Sequence, residues 1–148
     1  MRALRTAVLL ALLGLAGCVT PAPTTSAYAA KAGNTATAAV SAVRTALVAE
    51  DAYAHGRMTA AYLETTLVDA EDTLGSVRTT FDSVQPPDTP GADDLRAALD
   101  PLLEQAGSGL TDLRIAARRD DRAALASTAA DLGAVADRLD AFAQEHPS

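Results

Sequence analysis

One cysteine, Cys18, serves the whole chain, so no internal disulfide can form. Histidines number two, His55 and His146, and Met58 is the one other soft ligand beyond the N-terminal leader. A zinc or copper site needs such residues in clusters. His55 and Met58 stand three apart, but Gly56 lies between them, and two ligands at a helix break are too few. Nucleophilic catalysis needs a Ser or Cys beside an oriented base, and neither histidine has a motif near it. There is no Gly-x-Ser-x-Gly, no glycine-rich phosphate loop and no Glu-x-x-His of a di-iron bundle. These gaps argue against an enzyme and against a bound cofactor or metal. Tryptophan is absent, and the aromatics are Tyr28, Tyr53, Tyr62, Phe81 and Phe142. A core with so few rings must be thin and built from Ala, Leu and Val, which suits helices packed closely. No stretch alternates with period two, and no β-branched cluster sits between turn signals, so strands are not expected.

The chain opens on a three-part leader. Met1 to Arg5 carries two arginines, Thr6 to Leu15 is apolar apart from Thr6 and Gly14, and Ala16 and Gly17 are small. The apolar run is too short for a stable membrane span and reads as a secretory signal. Leu15-Ala16-Gly17-Cys18 resembles the lipobox of bacterial lipoproteins. The resemblance implies that residues 1–17 are removed and that Cys18 becomes a diacylated N-terminus. Two acyl chains supply the double signal that stable anchoring needs. The resemblance therefore places the chain on the extracytoplasmic face of a cell membrane, held through Cys18. The 35 alanines and eleven arginines against one lysine and one isoleucine look like a high-GC genome. With the lipobox, the chain resembles the helical lipoproteins of actinobacteria.

Beyond the leader, ten basic residues face nineteen acidic ones. That balance argues against nucleic acid and against lying flat on an anionic membrane. Residues 18–27 are rich in Pro and Thr and read as an extended tether. Residues 28–148 then make one domain.

Four amphipathic segments follow. The first runs from about Ala27 to Ala54 with a weak stripe, Ala36, Val40, Val43, Leu47 and Ala54. The second, about Thr59 to Val84, is the clearest: Ala60, Leu63, Leu67, Ala70, Leu74, Val77, Phe81 and Val84 repeat as a bundle seam. Three prolines and a glycine between Gln85 and Gly91 break the helix. Thr89 is placed to cap the third, with Pro90 at its first position. The third, about Ala92 to Arg118, has the stripe Leu95, Leu99, Leu102, Ala106, Leu110, Leu113 and Ala117. Pro101 and Gly107-Ser108-Gly109 strain it, but the stripe keeps phase, which favours one bent helix. The fourth, about Asp121 to Glu145, is marked by Leu125, Thr128, Leu132, Val135, Leu139 and Phe142. Four such helices with short loops prefer an all-α, up-down-up-down four-helix bundle.

One polar feature stands out. Arg114, Arg118, Arg119 and Arg122 cluster at the turn between the third and fourth helices. In an up-down bundle Arg57 joins Arg118, Arg119 and Arg122 at the end away from the tether, while Asp82, Asp88, Asp93 and Asp94 share the near end. The plain account of the arginines is dipole complementarity and pairing with Asp120 and Asp121. The sharper one is a docking patch for an anionic partner, with a protein as the candidate partner. The expected function is thus a lipid-anchored, non-catalytic helical module for partner binding or envelope structure. The alternative is a ligand-binding lipoprotein with a cavity between its helices, which needs about 300 Å³ and convergent polar groups.

Overall fold

The computed structural model describes residues 22–147; the leader and Cys18 lie outside the described residues. Four helices follow one another: α1 (Thr25–Ala54), α2 (Ala60–Asp82), α3 (Pro90–Arg118) and α4 (Arg122–Glu145). At 1.5 Å per residue the helices are roughly 35–45 Å long. Among the described residues there is no strand.

The helix starts follow capping chemistry. Thr24 accepts the Ala27 N–H at 3.1 Å and Asp121 accepts the Ala124 N–H at 3.0 Å. Thr59 caps α2 from Tyr62 at 3.3 Å. Thr89 occupies the cap position of α3 with Pro90 next to it, but its hydroxyl makes no cap bond. It meets the Thr25 hydroxyl instead, 2.9 Å away, and ties the loop before α3 to the start of α1. Residues 22–27, expected to belong to an extended tether, instead join the bundle, while 18–21 lie outside the described residues. Ala22 is already buried and its N–H reaches the Gln85 carbonyl at 3.4 Å, so the chain joins the bundle several residues before Ala27.

Two helix ends close in the same way. At the end of α1, Gly56 N–H bonds to Tyr53 O and Arg57 N–H to Ala52 O. At the end of α3, Asp120 N–H bonds to Ala117 O and Asp121 N–H to Ala116 O. Each is a Schellman motif, with a left-handed residue just past the helix. Gly56 fills that role at φ 69°, and Asp120, a non-glycine, fills it at φ 51°.

Each helix packs against its two neighbours in a ring, and α1 also packs against α3, while α2 and α4 do not touch. The bundle is therefore rhombic in section, with α1 and α3 on the short diagonal. Alanine makes that possible. Ala32, Ala36, Ala39, Ala42, Ala46 and Ala49 are all buried on α1, and short side chains let the α1 axis approach three partners. A helix with three neighbours buries a wide arc, which explains why its stripe was faint. It also corrects the expected stripes. On α1, Ala54 is exposed and Leu47 half-buried, while Tyr28 and Ala32 are fully buried. On α3, Leu103 and Ala116 are buried where Leu102 and Ala117 were expected. On α2, Ala60 is exposed and Val77 half-buried. The α4 stripe is buried except for half-buried Thr128.

α3 runs unbroken through Pro101. Pro101 and Ala97, the residue whose carbonyl loses its partner, are both exposed, so water can replace the missing bond. Gly109 faces α4: a Cβ there would stand 2.8 Å from Leu132 Cδ1. The Gly-Ser-Gly segment is thus a packing site.

Candidate functional site

The topology gathers Arg57, Arg118, Arg119 and Arg122 at one end, together with Tyr53, His55 and both Schellman turns. Their charges are largely answered, though not as expected. Asp120 and Asp121 pair with none of the arginines. Asp120 accepts the Tyr53 hydroxyl at 2.9 Å, and Asp121 caps α4. Arg118 and Arg122 reach across helices instead, and Arg57 turns back onto the end of α1. Arg57 pairs with Asp51, whose carboxylate also lies 3.2 Å from His55 Nδ1. Arg118 pairs with Glu64 at 3.3 Å. Arg122 lies over the Tyr53 ring, 5.9 Å from its centroid, within cation–π reach. Arg119 alone of the four has no ion pair, side-chain hydrogen bond or ring contact among the described residues.

Arg114 leaves the cluster altogether. Its Nε meets Glu71 at 2.7 Å between α2 and α3, with both side chains about one-fifth exposed. That pair is a brace between helices.

The hydrogen bond to Asp120 and partial burial push the Tyr53 phenol above its ordinary pKa, because ionisation would place two anions together. Burial, and then the neighbouring Asp51, raise the Glu50 carboxyl, with His55 opposing. Sequence reasoning missed Tyr53, Asp51 and Glu64 as partners of this end. The signal available was weak: a tyrosine in the last turn of α1 and acids one or two turns from the arginines.

The opposite end gathers the start of α1, the loop 83–89 and the end of α4. The Tyr28 and Phe81 rings stand 5.4 Å apart, and Arg96 lies 5.8 Å over Phe81. Tyr28 is fully buried, yet among the described residues neither its hydroxyl nor Arg96 Nε has a hydrogen-bond partner. Burial raises the Tyr28 phenol, and the nearby Arg96 charge partly opposes it. Gly33 lies against the His146 backbone: a Cβ there would come 1.8 Å from its carbonyl oxygen. His146 itself stacks on Phe142 at 4.5 Å.

Four open grooves run between adjacent helices. The α1–α2 groove, about 320 Å³, is lined by Lys31, Thr35, Ser76, Thr80, Phe81 and their neighbours. The α3–α4 groove, about 610 Å³, includes Glu104, Asp112 and Asp131. The α1–α4 groove holds Arg44 and Asp140, and the α2–α3 groove holds Glu71, Arg78 and Arg114.

Among the described residues no His, Cys, Asp or Glu group of three could hold a metal ion. No described helix is long and apolar enough to cross a membrane. No family model, curated protein or solved structure matches the chain.

Proposed function

We propose that this chain is a membrane-anchored extracytoplasmic lipoprotein whose bundle is a non-catalytic module for binding a protein partner. The observation that carries the reading is the leader ending in Leu15-Ala16-Gly17-Cys18. Two acyl chains on Cys18 hold the near end of the bundle, which begins at Ala22, toward the lipid. The end with Arg57, Arg118, Arg119 and Arg122 then points away. Arg119, without a side-chain partner among the described residues, offers a planar guanidinium to an incoming carboxylate, and the neighbouring ion pairs can exchange partners across an interface.

The anchor is tested by Cys18→Ser in cells fed a labelled fatty acid. The expected variant is unlabelled and cleaved elsewhere or not at all. A variant with the wild-type acylated mass overturns the anchor. The docking end is tested by Arg119→Glu together with Arg122→Glu, reading melting temperature and proteins co-purified from the native membrane. A lost partner at unchanged stability supports the patch. Unchanged partners overturn it.

A further inference from the structure

We propose that the α1–α2 groove beside Lys31 binds a single-chain amphiphile with a carboxylate head, that is, a fatty acid. Its floor is apolar: Ala38, Val77, Phe81 and Val84. Its rim is polar: Lys31, Asn34, Thr35, Ser76 and Thr80. An apolar floor under a few polar groups is the usual build of a small-molecule site, and 320 Å³ sits at the lower end of such sites. That size suits one slender chain better than a two-chain lipid.

Charge sets this groove apart. The chain carries nineteen acidic residues, and each of the other three grooves is lined by at least one carboxylate. This one has none. It has instead the only lysine of the chain, half-buried, with no acidic side chain paired to it among the described residues. In so acidic a chain an unanswered ammonium beside apolar surface complements an anion with an apolar body.

The polarity of the rim agrees. Thr35 donates its hydroxyl proton to the Lys31 carbonyl at 2.9 Å, and Thr80 donates to the Ser76 carbonyl at 2.8 Å. Their protons are spent within the helices. The donors left at the rim are the Lys31 ammonium, the Asn34 amide and the Ser76 hydroxyl. A head that only accepts hydrogen bonds, a carboxylate, fits that set. The stem of Lys31 can lie along the apolar floor while its charge stays at the mouth.

The site is read from the bundle alone and does not rest on acylation of Cys18. The test uses the full chain in phosphatidylcholine vesicles carrying a photoactivatable fatty acid, with adducts mapped by mass spectrometry. A parallel arm uses the matching fatty alcohol. Adducts should concentrate in residues 31–38 and 76–84 and be about tenfold fewer with the alcohol or with Lys31→Gln. Ala38→Trp, at a half-buried position, should fill the groove and remove them while leaving the helical melting curve in place. Cys18→Ser should label like the native sequence. Adducts spread evenly over α3 and α4, equal labelling by the alcohol, or labelling indifferent to both groove substitutions would each overturn the proposal.

Discussion

Helix α1 carries one tyrosine in its first turn and another in its last, and the two ends of the bundle hold them in opposite ways. Tyr28 is fully buried against Phe81, and its hydroxyl has no partner among the described residues. Tyr53 is half-buried, gives its hydroxyl to Asp120 and lies under Arg122. The first end is held by shape and the second by charge and hydrogen bonding. Shape tolerates no added atom, while an exposed polar network tolerates much but responds to pH and salt.

Breaking the bundle midway sets the scale for both ends. Leu74 is 3% exposed at the middle of α2. Leu74→Asp buries an unpaired carboxylate and should cost at least about 3 kcal/mol or unfold the domain. Ala61→Asp, on the exposed face of the same helix, should stay within about 0.5 kcal/mol. Equal urea midpoints for the pair would refute the assigned face.

The two ends are separated next by their glycines. Gly33→Ala forces a methyl onto the His146 backbone and should cost about 1–3 kcal/mol. Gly56→Ala meets no atom within 4 Å and costs only the left-handed φ, about 1 kcal/mol. Hydrogen exchange sharpens the contrast: faster exchange in residues 139–146 is expected for Gly33→Ala alone.

Removing the two hydroxyls gives a smaller effect with opposite signs. Tyr53→Phe should lower the melting temperature, because Asp120 loses its partner in a left-handed conformation. Tyr28→Phe should leave it unchanged or raise it, because the lost hydroxyl had no partner to lose. Equal losses from both would erase the difference between the ends.

The smallest effect is electrostatic. The raised Glu50 pKa means the folded state binds its proton more tightly than the unfolded state does. The stabilisation from that proton is complete below 4.5 and is lost as pH rises through the raised value. Glu50→Gln should therefore melt slightly higher than the native chain at pH 7 and coincide with it below pH 4.5. A gap that persists in acid would assign the effect to packing.

How much of this was legible in the sequence depended on how many neighbours a helix has. α2 and α4 face two helices each, and Leu63, Leu67, Leu74, Leu132 and Leu139 fell on their buried faces as the repeat implied. α1 and α3 face three, so their buried arcs outgrow a single stripe. At Leu102-Leu103 either residue satisfies a three-or-four spacing, and the interhelix geometry alone selects Leu103. The meeting of Arg57, Arg118, Arg119 and Arg122 at one end followed from topology. Their partners did not, because Glu64 is chosen by the angle at which side chains leave neighbouring helices, and Asp51 by the turn that folds Arg57 back over the end of α1. The α1–α2 groove was invisible for a related reason: an absence of carboxylates matters only once two helices are laid side by side.

The rhombic section also governs the order in which the chain can close. α1, like α3, touches all the others, and its contacts with α4 join residues as distant as Arg44 and Asp140, 96 positions apart. Alanine gives α1 a strong tendency to coil early, but its side chains are too short to hold a single partner firmly. Until α4 docks, part of the wide apolar arc of α1 has no partner, and the chain between α1 and α4 is the longest closure among the described helices and so the costliest in entropy. The first helix in the chain is therefore fully enclosed only when the last one docks.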